Sequence, residues 1–168
     1  MKLRVQSFIL AALPMAALSL TACNRTDPKP DDAKAPVHEH HAPHGGALVE
    51  LGEGEFAHLE LLLDPAQGLL TAYSLDGEAE NPIRLKQDKL VLKLGGLPGA
   101  KEQSLALTAQ PNGLTGETVG DTSEFAGRSD ALRGAAVFTG SVQSVTTKGQ
   151  RFDNVAFSYP KGSEEEKK

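Results

Sequence analysis

The chain has 168 residues, with 22 acidic and 17 basic side chains and a formal net charge of −5. An acidic chain of this kind is a poor candidate for binding nucleic acid or the anionic face of a membrane. Its single cysteine, Cys23, excludes a disulfide within the chain, so an ordinary apolar core must hold the fold.

The chain begins with the features of a secretory signal. Lys2 and Arg4 form a short basic region, and the apolar stretch 8–20 that follows is too short to span a bilayer. We predict that residues 1–22 are a lipoprotein signal peptide that is cleaved before Cys23. Cleavage there removes two bases and leaves 15 basic against 22 acidic residues, a formal charge of −7.

The cleavage site has the sequence Leu-Thr-Ala-Cys, residues 20–23, which resembles the lipobox of bacterial lipoproteins. The resemblance implies that Cys23 carries acyl chains such as palmitate, and several chains on one residue give a stable membrane anchor. The alternative is a free thiol at the signal boundary. Asn24 is not an aspartate, which by resemblance to enteric sorting rules implies the outer membrane rather than the inner one. We therefore expect a protein on the periplasmic side of the cell envelope.

Both ends of the mature chain are predicted to lack a fold. Residues 23–43 contain four prolines among charges and no apolar periodicity, which is typical of a flexible tether. Residues 162–168 read Gly-Ser-Glu-Glu-Glu-Lys-Lys and form a charged, disordered tail. The folded domain is expected between them, over residues 44–161.

The domain shows apolar residues with period two and frequent turn signals, which is typical of short strands. Such alternation runs through the segments 56–64, 70–75, 89–94, 104–109, 140–145 and 152–159. The pattern predicts an all-β fold, an antiparallel β-sandwich or barrel-like single domain. Lys148-Gly149 is predicted as a hairpin turn, and one short helical turn is expected over 129–133, with Ser129 as its N-cap.

The strand pairing of the first hairpin can be predicted from whether its apolar residues have odd or even numbers. The apolar residues of its two strands all have odd numbers, so a shared buried face requires odd-numbered residues to pair with each other. A three-residue loop, 52–54, satisfies this condition and supplies a glycine for a left-handed position. We expect Ala47 opposite Leu59 and Gly46 opposite Glu60.

The other face of this hairpin carries side chains suited to a metal. It holds His58 and Glu60, and its extension reaches His44. Two imidazoles and a carboxylate form a ligand set for Zn²⁺ or Cu²⁺. The alternative is that His58 and Glu60 are simply the polar positions of a half-exposed strand.

Three further histidines, His38, His40 and His41, lie just before the hairpin. Neutral imidazoles at this density bind late first-row metals, although a flexible segment binds them weakly because it must be ordered. The alternative is a passive spacer that happens to be rich in histidine.

The segment HAPHGGALVELGEGEFAHLELLLD, residues 41–64, resembles the His-Gly-Gly hairpin in periplasmic parts of heavy-metal efflux adaptor proteins. It is more similar to short bacterial lipoproteins with a Pro-His-Gly-Gly start, as is the later segment LTAYSLDGEAENPIRL. The resemblance covers residues 42–85 and implies a small periplasmic β domain associated with metal handling. The sequence offers no coiled-coil hairpin, lipoyl-like domain or methionine cluster, so it does not describe a complete efflux adaptor.

We do not expect an enzyme. The sequence has no nucleophile elbow and no cysteine nucleophile in the domain, and the acidic pair Asp76 and Glu78 is expected to be solvated in a turn. The leading hypothesis is a lipid-anchored periplasmic protein that binds Zn²⁺ or Cu²⁺ for buffering or for delivery to an efflux system. The alternative is a non-catalytic interaction or envelope structural lipoprotein.

Overall fold

The computed structural model of the protein describes residues 40–54, 56–97, 99 and 101–163. The predicted signal peptide, Cys23, His38 and the tail from residue 164 onwards lie outside the described residues. Within the described ranges, no helix has both the length and the apolar character needed to cross a membrane.

The described part of the chain is all-β, as the period-two pattern predicted. Its strands are β1 (Ala47–Leu51), β2 (Ala57–Asp64), β3 (Leu69–Leu75), β4 (Lys89–Gly95), β5 (Gln103–Ala109), β6 (Glu124–Arg128), β7 (Phe138–Thr147) and β8 (Gln150–Tyr159). A single 3-10 turn, Asp130–Leu132, interrupts them between β6 and β7.

The eight strands form one antiparallel sheet in the order β1-β2-β3-β6-β5-β4-β7-β8. The sheet curls until its two edge strands, β1 and β8, come close together, which gives a nearly closed, barrel-like shape. Ser163 follows β8 and bridges the two edges, because its backbone N–H donates to the Leu48 carbonyl (3.0 Å) and its Oγ accepts from the Glu50 N–H (2.6 Å). We call this junction the seam.

Alternate side chains of the strands point into the barrel-like sheet and form one continuous core. The largest fully buried members are Phe125, Phe138, Leu51, Leu59, Leu61, Leu70, Leu85, Leu90, Leu92, Leu94, Leu107 and Leu132. Val49, Leu59 and Leu61 belong to this core, so the odd-numbered face of the first hairpin is the inner one, as parity predicted.

The predicted loop of the first hairpin is wrong by two residues. Ala47 pairs with Leu61 rather than Leu59, so the pairing keeps odd with odd but needs a five-residue connection, 52–56. The longer loop satisfies the same parity rule, so parity alone did not decide its length. Gly46 accordingly lies before the paired residues of β1, and Leu48 is the residue opposite Glu60.

Two local predictions at the other end of the domain are confirmed. Lys148 and Gly149, with φ of 48° and 77°, form the two-residue turn between β7 and β8. The short helical turn begins after Ser129, although the Ser129 side chain makes no capping hydrogen bond and instead accepts one from Gln103 (3.2 Å). Strand β6 had no sequence prediction, since its five residues include Gly127 and two charged ends.

Candidate functional site

The outer face of β2 is buried, which corrects the half-exposed alternative. The exposed fraction of His58 is 1%, and that of Glu60 is 0%. Residues 40–46, which we call the strap, contact both side chains, through the His40 ring at His58 and through His44 and Gly46 at Glu60. The strap therefore covers the face of β2 that points away from the core.

The Pro-His-Gly-Gly sequence shapes the strap. The Gly45 N–H donates to the Ala42 carbonyl (3.0 Å), which closes a turn around Pro43 and His44. Gly45 has a φ of 76°, a conformation that favours glycine. A Cβ atom on Gly46 would lie 2.5 Å from the Leu61 carbonyl oxygen, so only glycine lets the strap approach β2 this closely.

Glu60 holds the strap through both of its carboxylate oxygens. Its Oε1 accepts the backbone N–H groups of His44 and Gly46, each at 2.8 Å. Its Oε2 lies 2.7 Å from Nδ1 of His44. These hydrogen bonds compensate for taking the Glu60 side chain out of water.

The His44 ring is the exposed end of this arrangement, with 43% of its side chain accessible. It stacks on Tyr73 of β3, with ring centroids 3.9 Å apart and planes inclined by 15°. Burial, together with the negative charges of Glu124 and Glu60, raises the pKa of Tyr73. Tyr73 therefore stays neutral at physiological pH and serves as an aromatic platform for His44.

A second pair of side chains meets further along the same strand. The rings of His40 and His58 lie 5.0 Å apart at an angle of 51°. Nδ1 of His58 lies 3.1 Å from the Asp76 carbonyl, and Nδ1 of His40 lies 3.3 Å from the Glu78 carbonyl. One turn, residues 76–81, thus presents a backbone oxygen to each imidazole.

The carboxylate of Asp76, which was predicted to be solvated in a turn, also organises that turn. Its Oδ1 accepts the N–H groups of Glu80 (2.9 Å) and Asn81 (3.2 Å), and its Oδ2 accepts the Asn81 side-chain amide (2.7 Å). The hydrogen bond from the Asn81 side chain is the main reason that the pKa of Asp76 is lowered; burial opposes it, and the backbone N–H groups of Glu80 and Asn81 lower the pKa further. An Asp-Gly turn signal was visible in the sequence, but its contact with histidines was not.

Two of these contacts fix the role of a ring nitrogen. A backbone carbonyl can only accept a hydrogen bond, so Nδ1 of His58 donates to the Asp76 carbonyl and Nδ1 of His40 donates to the Glu78 carbonyl. Histidines that bind metals have this arrangement, in which one nitrogen donates to an oxygen and the other is left for the metal.

The predicted site residues form two pairs. His44 meets Glu60, and His58 meets His40, whereas His41 is exposed on the strap. Across the described residues, no group of three or more His, Cys, Asp or Glu side chains is arranged to hold a metal ion. His44, His58 and Glu60 thus share a strand face but do not converge on one point.

A separate carboxylate lies buried in the loops that precede β6. Glu117 Oε1 accepts the backbone N–H (2.8 Å) and the hydroxyl (2.6 Å) of Ser123, and its Oε2 accepts the Thr115 hydroxyl (2.6 Å). Burial favours the neutral form of Glu117, but these hydrogen bonds and the nearby Arg84 outweigh it and lower its pKa. Glu117 lies among hydroxyl and amide donors rather than histidines, and we assign it a structural role.

The chain matched no protein-family model, curated protein or solved structure in the comparisons. The geometry of the strap, β2 and the 76–81 turn is therefore the basis for the function proposed below.

Proposed function

We propose that the protein binds a divalent transition metal, Zn²⁺ or Cu²⁺, through the paired imidazoles of His40 and His58. We further propose that lipidated Cys23 holds it on the periplasmic side of the envelope, where it buffers the metal or delivers it to an efflux system. The lipobox-like sequence before Cys23 supports the anchor, and the paired imidazoles support the metal.

The paired imidazoles of His40 and His58 carry the metal proposal. Two imidazoles bound through Nε2 to one tetrahedral metal, with metal–nitrogen bonds of about 2.0 Å, have ring centres about 5 Å apart. The rings of His40 and His58 are already 5.0 Å apart. Nδ1 of His58 donates to the Asp76 carbonyl of the 76–81 turn, so Nε2 is the nitrogen of His58 that would bind the metal.

The hydrogen bonds of Glu60 to the strap give it a different role from that of the predicted histidine ligands. Both oxygens of Glu60 are engaged by the strap, so we assign Glu60 to orienting His44 rather than to the metal itself. Two protein ligands leave coordination positions for water or for further histidines such as His38 or His44. Open positions permit exchange of the metal, which suits buffering and delivery rather than a permanent structural ion.

Calorimetric titration of the full chain in detergent micelles with Zn²⁺ and with Cu²⁺ tests the proposal. His40→Ala and His58→Gln should each weaken the tightest site by more than tenfold, about 1.4 kcal/mol. The Gln side chain can still donate to the Asp76 carbonyl, which protects the fold of the second variant. His41→Ala is the matched control, because His41 is adjacent to His40 but exposed.

The outcomes of this titration separate the hypotheses. Equal weakening by His40→Ala and His41→Ala, with no effect of His58→Gln, would leave only an unselective histidine tract. No heat of binding and no change in melting temperature with either metal would favour the interaction-module alternative.

The anchor has its own test. Cys23→Ser should abolish incorporation of labelled palmitate and move the protein from the membrane fraction to the soluble periplasmic fraction. Retention of Cys23→Ser in the membrane fraction, with labelling unchanged, would contradict lipidation at this residue.

A further inference from the structure

Among the described residues, three large apolar side chains are exposed, and two of them lie in one loop. The exposed fractions of Leu114 and Val119 are 99% and 60%, and both residues belong to the connection between β5 and β6, residues 110–123. The third, Val137, lies just before β7. Single exposed apolar residues are common on protein surfaces, so exposure alone shows no function. The 110–123 loop is informative because of how it is built.

Each of its two apolar side chains lies within a tight turn. The first turn, 112–117, contains Leu114 and is closed by two backbone hydrogen bonds between its end residues, of 3.1 and 2.9 Å. The second turn, 118–121, contains Val119 and is closed in the same way, by bonds of 3.1 and 2.9 Å. The two turns follow each other directly in the chain, so the two apolar side chains project into solvent from adjoining turns.

Polar contacts hold the first turn in place. The Leu114 N–H donates to Oδ1 of Asn112 (3.0 Å), and the Thr115 hydroxyl donates to Oε2 of the buried Glu117 (2.6 Å). The Arg84 guanidinium donates to the Thr115 carbonyl. A leucine on a supported turn needs little further ordering before it binds a partner, which lowers the cost of binding.

The loop lies at the end of the sheet where the N-terminal segment joins the domain. The Ser74 N–H donates to the Ser123 carbonyl (2.8 Å), which places the end of the loop beside the end of β3. The 76–81 turn follows β3 directly, and its Glu78 carbonyl accepts from the His40 ring (3.3 Å). His40 is the first residue that the structure describes. The chain therefore enters the domain at the same end as the 110–123 loop.

Two projecting side chains on adjoining turns suit a lipid surface better than a protein surface. A protein interface commonly buries about 800 Å² on each partner, whereas a bilayer interface accepts apolar side chains inserted to a shallow depth. The two basic side chains at these turns, Arg84 and Lys86, both pair with Asp121 (3.4 and 2.7 Å), and Arg84 also lies 4.0 Å from Glu117. Two bases paired with two carboxylates balance the charge, which matches zwitterionic lipid headgroups rather than anionic ones.

We propose that Leu114 and Val119 form a membrane contact, which enters the interface of a zwitterionic bilayer and turns this end of the domain towards the membrane. The inference rests on the proposed lipid anchor at Cys23, because two apolar side chains alone bind a bilayer weakly. The anchor holds the protein at the membrane, and the loop determines which end of the sheet faces it. The imidazoles of His40 and His58 lie at the same end, so this orientation places them on the membrane side of the domain.

Fluorescence of single tryptophans tests this orientation, because the chain itself contains no tryptophan. The full lipidated chain is reconstituted in phosphatidylcholine vesicles as Leu114→Trp, as Val119→Trp or, for a matched control, as Val137→Trp. Val137 is also exposed (65%) but precedes β7, which begins opposite the end of β4, whereas the loop follows β5 at the level where β4 begins. The two loop variants should emit at shorter wavelength and lose about half of their fluorescence to lipids brominated on the acyl chains, because tryptophan at a bilayer interface lies near those chains. The control should show neither change.

The outcomes separate this inference from the proposed anchor. Sedimentation of the parent chain with the vesicles, without quenching in either loop variant, would contradict the loop contact and leave the anchor standing. Equal quenching of all three variants would contradict a preferred orientation. A shift to shorter wavelength without quenching by brominated lipid would mean that protein covers the loop, and would also overturn the inference. Failure of the parent chain to sediment with the vesicles would contradict the anchor, and the membrane contact with it.

Discussion

The outer faces of β2 and of the β4–β5 pair have similar sequence patterns but different surroundings. In β4 the outward Lys89 and Lys93 are exposed, and in β5 the outward Ser104, Ala106 and Thr108 are exposed as well. In β2 the first five residues are all buried, on both faces of the strand. We call these the open face and the covered face.

The difference comes from chain outside the strands. The strap lies over His58 and Glu60, and Tyr73 of β3 contributes to the same cover by stacking on His44. A carboxylate can be buried there because both of its oxygens are hydrogen-bonded to groups in the strap. Polar residues on the covered face therefore bind other parts of the molecule, whereas Lys89, Lys93 and Ser104 on the open face are exposed to solvent.

Removal of the Glu60 carboxylate should give the largest effect. Glu60→Ala leaves the N–H groups of His44 and Gly46 without their acceptor, and should lower the free energy of unfolding by about 3 kcal/mol. Denaturant titration measures this. The control is Glu50→Ala, an exposed carboxylate on the same side of the first hairpin, which should change the free energy by less than about 0.5 kcal/mol. Similar losses in both variants would show that the face is not covered.

A methyl group added at Gly46 should displace the strap from β2. In Gly46→Ala the new carbon meets the Leu61 carbonyl at 2.5 Å and Cγ of Glu60 at 2.9 Å, so the strap must lift. We expect a loss of about 2 kcal/mol in the free energy of unfolding, measured by denaturant titration. Gly113→Ala is the control, because no atom lies within 4 Å of its added carbon and its φ is negative. A stable Gly46→Ala protein would contradict the close packing of the strap.

Lowering the pH should reduce the stability of the protein through the buried carboxylate of Glu117 more than through exposed carboxylates. The pKa of Glu117 is lowered in the folded protein, so its contribution to stability is present above its ordinary value of 4.5 and is lost as the pH falls through the lowered value. Glu117→Gln should cost about 1 kcal/mol at pH 7 and should show a smaller fall in melting temperature between pH 5 and about pH 3. Glu102→Gln, an exposed control, should retain the parent's pH profile. Parallel profiles for the parent and Glu117→Gln would refute this role.

A substitution on the open face should give the smallest effect. Lys93→Ala removes an exposed side chain from the middle of β4, and should alter the free energy of unfolding by less than about 0.5 kcal/mol. Thermal or denaturant unfolding measures the difference. A loss comparable with that of Glu60→Ala would mean that another part of the chain covers β4.

The sequence correctly predicted the features that are determined by residues close together in the chain. Alternation identified most strands, and odd-number parity correctly placed His58 and Glu60 on the face opposite the Val49 and Leu59 core. The turn at Lys148-Gly149 followed from residue type, because two successive left-handed positions favour such residues. Loop length was not determined in this way, since a five-residue loop preserves the same parity as a three-residue one.

The site depended on contacts between distant parts of the chain, which patterns within one strand do not encode. Alternation cannot show that His58 is covered, because the cover comes from His40 and from a turn at residues 76–81. The sequence also gives no indication that two strap N–H groups donate to one oxygen of Glu60. The Asp76 turn was recognisable as a turn, but the carbonyls it directs at two imidazoles were not.

The seam can form only after the residues that follow β8 have been synthesised. Strand β1 is among the first parts of the domain to be made, yet its free edge is bonded by Ser163, more than a hundred residues later. Added side-chain atoms at Gly162 would collide with the Leu48 carbonyl, so this final junction also demands an exact fit. Contacts of such separation are slow to form because the chain between them must be closed into a loop. We therefore expect β1 to wait with its edge unpaired until the last strand emerges, an interval in which binding by other chains would compete with folding.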